Sequence, residues 1–244
     1  QAKIDFFTNV AHEIRTPLTL IKGPLEKLLG LQYESEEVPQ HLSIMKKNTS
    51  RLLKLVNELL DFRKSEIGGL KLTFVEANIS SQVRNLHLRF SQLIEERGLD
   101  FQLELGEKDI HAFVDKEAFK KILSNLLSNA VKYAKDTVSI TLFRDDKKLN
   151  LIVKNDGSII PIHLKDKIFE PFFRVDDSNT ASGTGIGLSL AHSLAQLHNG
   201  NLQLLSDSDF NVFELTLPLH QKEEFMLYSE SEKETIESET PKET

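Results

Sequence analysis

Residues 6–21 read FFTNVAHEIRTPLTLI, and the periodicity of this stretch decides how the N-terminal part of the chain folds. With Phe7 at heptad position a, Ile14, Ile21 and Leu28 share that position, and Val10, Ala11, Leu18 and Leu25 fall beside it. Spacing of three and four predicts a helix with one buried seam. His12 then takes position f, opposite the seam, and points to solvent. An imidazole there serves no core. It is either an ordinary surface residue or a nucleophile within reach of a second domain, since neutral imidazole carries a free lone pair. Glu13 follows directly and can orient the ring or accept its proton. Pro17 has no N–H, and its ring meets the carbonyl of Glu13, so the helix is expected to bend or loosen one turn after His12. Pro24 repeats this against Leu20. An interior proline costs about 3 kcal/mol, and a plain stalk has little reason to keep one.

Polar and acidic residues over 31–38, then Pro39, read as a connection. Leu42, Met45, Thr49, Leu52, Val56 and Leu59 repeat at three and four, which predicts a second helix running to about Glu66. Gly68 and Gly69 end it. Residues 1–67 therefore form a helical hairpin. One hairpin buries little surface, so pairing with a second copy into a dimeric four-helix bundle is expected.

From Leu70 the texture changes. Short alternating runs at 71–77, 99–105, 111–115, 137–145, 148–155, 201–207 and 210–219 read as strands. Residues 79–97, 115–135 and 184–198 read as helices, with Asp115 as a candidate N-cap. Residues 161–183 show little periodic order. Mixed helices and neighbouring strands over 70–219 imply an α/β sandwich, helices on one face of a mixed sheet. The formal charge is −7, of which the acidic end contributes −5 through eight Glu and three Lys in residues 221–244. Residues 220–244 have the composition of a flexible linker or tail. The rest of the chain is nearly neutral and gives no reason to expect bound nucleic acid. Cysteine is absent, which excludes disulfides and thiolate metal sites. No apolar run approaches the roughly 20 residues that span a bilayer. A chain that opens inside a helical pattern reads as a piece of a longer protein.

Three stretches carry chemistry. In NLLSNAVKY, residues 125–133, the side chains of Asn125, Asn129, Lys132 and Tyr133 share one helix face. Amide oxygens there suit a hard cation that keeps most of its waters, with Lys132 meeting phosphate charge; alone, they are equally surface amides. In NDGSIIP, residues 155–161, Asn155, Asp156 and Gly157 follow a strand. Such a turn can place an acceptor in a pocket for an adenine amino group, or be only a turn. In GTGIGLSLA, residues 183–191, Gly183, Thr184, Gly185, Gly187 and Leu188 open a helix whose N–H groups can approach phosphate. No Gly-Lys-Ser/Thr follows, so this is no Walker A loop, and the strand–turn–helix frame of a dinucleotide fold is missing.

In this order the motifs resemble the catalytic core of a two-component sensor histidine kinase, over about residues 1–219. AHEIRTPLTLI is similar to the family's phospho-acceptor box, NLLSNAVKY to its N box, VKNDGSIIP to its first glycine box, IFEPFFRV to its F box and GTGIGLSLA to its second glycine box. The acidic end most resembles hybrid sensors of Bacteroidetes-type bacteria. The resemblance implies a homodimeric hairpin and an ATP-binding sandwich of the gyrase and chaperone type. It implies that His12 accepts the γ-phosphoryl of ATP, that Glu13 assists proton removal, and that Thr16 positions water in dephosphorylation of the partner. Asn129 would hold Mg²⁺, with Asn125 and Lys132 near the phosphates and Tyr133 lining the adenine pocket. Phe172, Phe173 and Arg174 would lie in the lid, Arg174 near phosphate. The phosphoryl group would pass to an aspartate of a response-regulator receiver domain. The parent protein would be an inner-membrane sensor with this portion in the cytoplasm.

Two positions depart from the family's pattern. Asn155 stands where the family has an adenine-contacting aspartate, and Ile159 stands at a glycine, where a positive φ would be strained. These two leave a non-catalytic nucleotide-sensing module open as an alternative. A clamp ATPase of the wider superfamily is the other, against which the exposed His12 speaks.

Overall fold

The computed structural model describes residues 2–29, 37–66, 70–106, 108–175, 184–205 and 207–221. The chain divides into two compact units, residues 1–69 with 168–190 and residues 70–167 with 191–244.

In the first unit, helices α1 (Ala2–Leu28) and α2 (Glu37–Glu66) pack together as a hairpin. α1 runs unbroken through Pro17 and Pro24, which the expected loosening did not foresee. Pro17 falls at a seam position and is buried, so its ring contributes to packing in return for the lost N–H. Side-chain hydroxyls back-bond along the same turns: Thr16 Oγ1 donates to the His12 carbonyl at 3.3 Å and Thr19 Oγ1 to that of Arg15 at 3.0 Å. On α2 the buried line is Asn48, Leu55 and Phe62, seven apart. Of the expected stripe, Met45, Leu52 and Leu59 are half-buried, whereas Leu42, Thr49 and Val56, one residue off the buried line, are exposed. The physical reason is that α2 carries two apolar lines, and a single chain covers one of them.

The second unit is built on a five-stranded sheet of order β2-β4-β5-β7-β6: β2 is Asp100–Leu105, β4 Thr137–Arg144, β5 Lys148–Asn155, β6 Asn201–Leu205 and β7 Asn211–Pro218. β2 and β4 are parallel and the other pairs antiparallel. β1 (Val75–Asn78) and β3 (His111–Val114) make a separate antiparallel pair. The first expected strand is shorter than its alternation suggests, because Thr73 N–H donates to Asp115 Oδ2 at 3.0 Å rather than to a strand. The register places Ile140 opposite Val153, and Val153 opposite Phe213, so the buried side chains of three strands share one face. With one face apolar, a slip of one residue would turn every core side chain outward. α4 (Lys116–Tyr133) packs on β5 and buries Phe119, Ile122, Leu123, Leu126 and Leu127. Asp115 is its N-cap, accepting from the N–H groups of Glu117 and Ala118. α3 (Ile79–Arg97) is capped by Asn78 and stopped by Gly98 at φ 66°. α5 (Gly187–Leu197) starts three residues later than its sequence pattern. Gly185, at φ +71°, is not helical.

His198 closes α5 and is fully buried, a role its sequence position did not announce. Its Nε2 accepts the Asp115 N–H at 3.2 Å, which leaves the proton on Nδ1, donated to the Leu194 carbonyl at 2.7 Å. Phe74 meets the ring edge-on at 5.5 Å. Gln221 is buried with it and donates to the His198 carbonyl at 3.0 Å, so the folded body reaches two residues into the expected tail. Residues 222–244 lie outside the described residues.

Burial lowers the His198 pKa, and the Leu194 carbonyl and Asp115 oppose this without reversing it. Unfolded histidine titrates near pH 6.5, above the folded value, so protons favour the unfolded chain. The His198 contribution is therefore complete above about pH 6.5, begins to fall below it, and is lost as pH drops through the lower folded value. The melting temperature should drop between pH 7.5 and 5.5. His198→Gln should lower it at pH 7.5 and flatten its pH slope; equal slopes in the two proteins would assign the pH dependence to other groups.

Candidate functional site

The first group of predicted residues lies on α1. His12 is exposed on the outer face, as the heptad requires. Glu13 is turned across the hairpin, with Oε2 3.6 Å from Arg51 Nη2, and the pair is partly covered. In the single chain its carboxylate is held by this cross-helix ion pair. Thr16 stands one turn after His12 with its hydroxyl bound to the His12 carbonyl.

The second group lies at the C-terminal ends of α4 and β5. Asn125 and Asn129 are half-buried on one face of α4 and make no side-chain hydrogen bond among the described residues. Their oxygens are free for a cation, and Mg²⁺, which needs few protein ligands, fits such a donor set. Lys132 donates to its neighbour Tyr133 Oη at 2.6 Å, and the Tyr133 ring is exposed. Asn155 ends β5 and is 3% exposed, and its Nδ2 has no partner. An unmet buried donor costs about 1–3 kcal/mol.

Asp156 is a correction. Expected in the base pocket, it instead accepts the backbone N–H groups of Lys135, Asp136 and Thr137 at 2.9–3.1 Å. Successive side chains at a strand end point to opposite sides, so Asp156 is directed away from where Asn155 points. Burial would raise its pKa, but the backbone donors, Thr137 first, outweigh it and hold the carboxyl below its usual range. Gly157 packs against the end of α4: a Cβ there would lie 2.0 Å from the Tyr133 carbonyl oxygen. Ile159 does not have a positive φ, so the strain expected of it is absent. The turn that carries it is held from β7, where Asn211 Oδ1 accepts the Ile160 N–H at 2.8 Å and Nδ2 donates to the Ser158 carbonyl at 3.0 Å.

The third group spans the F box and the second glycine box. Phe172 adopts φ 65° and Gly185 φ 71°, and the Phe172 N–H donates to the Gly185 carbonyl at 2.9 Å. The approach is close enough that a Cβ on Gly185 would lie 2.7 Å from Phe172 Cα. Phe173 and Arg174 follow, both half-buried. Thr184 Oγ1 donates to Glu58 Oε2 on α2 at 2.6 Å. Gly187 and Leu188 form the first turn of α5, where backbone N–H groups have no intrahelical partner. Gly183 lies outside the described residues.

Comparison with known proteins bears on all three groups. Residues 2–68 match the His Kinase A (phospho-acceptor) domain, and residues 114–221 match the histidine kinase-, DNA gyrase B- and HSP90-like ATPase family. The chain is a histidine kinase catalytic core. Histidine kinase P4 of Formosa agariphila is 36% identical over 228 residues, 90% of this chain and 17% of that protein. Hybrid signal transduction histidine kinase D of Dictyostelium discoideum is 34% identical over 241 residues, 95% of this chain and 16% of that protein. The chain thus spans about a sixth of the length of these two relatives. Among solved structures, histidine kinase ThkA in complex with response regulator TrrA superposes with a TM-score of 0.71 at 27% identity, covering 88% of this chain and 61% of that one. The matched ATPase family gives the kinase core an ATP-binding fold.

Three residues that organise this core escaped the motif reading. Arg97 Nη1 donates to the Val131 and Lys132 carbonyls at 3.0 and 3.2 Å and caps the end of α4. Asn211 holds the turn after β5, and Arg51 holds Glu13. Each acts across a long sequence separation, and nothing in its own neighbourhood signals the partner.

Gly157 and Gly106 make a matched test, since a Cβ at Gly106 meets nothing within 4 Å. Gly157→Ala should destabilise the kinase core by on the order of 1–3 kcal/mol, through overpacking against α4, and weaken binding of a fluorescent ATP analogue. Gly106→Ala should do neither. Thermal melts and titrations of both variants check it, and equal behaviour would show that the α4–β5 junction yields freely.

Proposed function

We propose that this kinase core autophosphorylates His12 from ATP and passes the phosphoryl group to an aspartate of a response-regulator receiver domain. The observation that supports this most is the exposed imidazole on α1, in one chain with an ATP-binding fold. The imidazole nitrogen attacks the γ-phosphorus, the bond to the β–γ bridging oxygen breaks, and ADP leaves. Glu13 takes the ring proton, with Arg51 as its anchor between turnovers. Mg²⁺ at Asn129 would neutralise phosphate charge, and Asn125 and Lys132 would stand beside it. Tyr133 and Asn155 would line the base pocket. Positioning and charge neutralisation carry most of such a reaction. Arg174, Gly183, Thr184, Gly185, Gly187 and Leu188 would bind phosphate from the lid side, with Phe173 packing the lid, while Thr16 would position water when the receiver is dephosphorylated. The absence of strain at Ile159 removes one of the two supports for a non-catalytic module.

A homodimer is part of this reading. Leu18, Leu20 and Leu25 on α1 and Leu53, Val56 and Leu60 on α2 are exposed in the single chain. A second hairpin would cover such a surface. The working boundaries are residues 1–67 for the phospho-acceptor hairpin, 70–219 for the ATP-binding domain and 220–244 for a linker. No helix among the described residues is long and apolar enough to cross a membrane. A parent chain anchored at the inner membrane, with this portion in the cytoplasm, belongs to the same proposal.

Incubation with γ-labelled ATP and Mg²⁺ should place acid-labile, base-stable label on the protein. His12→Ala should abolish the label and keep ATP binding. Steady phosphate release with no label on the protein would replace this reading by a clamp-type ATPase.

A further inference from the structure

Among the described residues, two buried side-chain polar atoms lack any hydrogen-bond partner: His41 Nδ1 on α2 and Asn155 Nδ2. The second is unusual in how firmly it is held. Asn155 is registered against Val138 on one side and Asn211 on the other, so its backbone is fixed by the sheet. A Cβ on Gly157 would stand 2.9 Å from Nδ2 and 2.0 Å from the Tyr133 carbonyl oxygen, so only glycine lets the amide and the end of α4 lie this close. Asp156, the next residue, spends its carboxylate on backbone N–H groups and leaves no ionised group to take the place of the missing charge. The pocket end of β5 therefore presents a neutral amide whose donor is unmet.

An amide differs from a carboxylate in one respect that matters here. A carboxylate offers only acceptors, whereas an amide offers one acceptor and one donor side by side. Adenine presents an N6–H donor beside a ring-nitrogen acceptor, and an amide meets both. A 6-oxopurine presents the reverse, an O6 acceptor beside an N1–H donor. The same amide meets that edge after a half-turn about its terminal torsion, because its oxygen and nitrogen are nearly the same size. A carboxylate would oppose O6 with a second acceptor.

We propose that Asn155 makes the base pocket accept both 6-aminopurine and 6-oxopurine nucleoside triphosphates, with the amide turning to suit each. This rests on the reading of the β5 end as the base pocket. Displacement of a fluorescent ATP analogue from the full chain by ATP and by ITP, which carries a 6-oxo group and no 2-amino group, tests it. Wild-type protein should bind ITP within about tenfold of ATP, the size of a single well-placed hydrogen bond. Asn155→Asp should widen that ratio at least tenfold. A wild-type ratio above tenfold overturns the proposal whatever the variant does, and so does an unchanged ratio in a folded Asn155→Asp protein. Failure of ATP itself to displace the analogue would instead overturn the base-pocket reading on which the proposal stands, and the proposal with it.

Discussion

One carboxylate joins the end of α4 to the end of β5 in the sheet unit. Asp156 collects three consecutive backbone N–H groups, those of residues 135–137, at the point where α4 ends and β4 begins. Without it these donors would need other partners at a helix end, where backbone groups already lack them. With it, the end of β5 is tied to the end of α4, and Asn155 is held in a defined place relative to Lys132 and Tyr133. Arg97 secures the same junction from the other side by taking the last carbonyls of α4. Gly157 lets the two backbones approach, since nothing larger fits against the Tyr133 carbonyl. The geometry of the α4–β5 junction is therefore set by backbone capping, and the proposed base pocket would inherit it.

The hairpin follows a different logic. Its second helix has more apolar surface than one partner helix covers, so a buried line and an exposed line lie next to each other. The exposed line is the surface that a second copy would cover. Prolines that would break an isolated helix are accommodated where Pro17 sits in the seam and threonine hydroxyls satisfy nearby carbonyls. His12 remains on the outer face because every seam position is taken by an apolar residue or by proline.

The end of the F box and the start of the second glycine box meet through two residues with positive φ, Phe172 and Gly185. Phe172 holds a left-handed conformation, which costs a non-glycine residue about 1–2 kcal/mol. Its N–H is satisfied by the Gly185 carbonyl, and Gly185, which has no Cβ, takes a positive φ without strain. Thr184 is engaged by Glu58. Backbone strain of this kind persists where the surroundings over-determine it, and it is concentrated at functional segments.

Periodicity alone determined much of this protein. The heptads of α1, the alternation of the strands and the glycine and asparagine motifs were sufficient for the hairpin, the sandwich, the outward direction of His12 and the family. They were sufficient because these features depend on neighbours within about one turn or one strand step, which the sequence displays directly. The register of α2 was not legible, since choosing between Leu55 and Val56 as the core line requires knowing which face the other helix takes. The direction of Asp156 was not legible either, because a carboxylate beside Asn155 looks like a ligand until the three N–H groups some twenty residues away are in view. The same holds for the buried His198 against Asp115, for Arg51 against Glu13, and for Asn211 under Ile160. In each case the partner is brought close by packing and pairing of separate elements, and only the tertiary structure decides which polar groups are satisfied and which, like Asn155 Nδ2, are not.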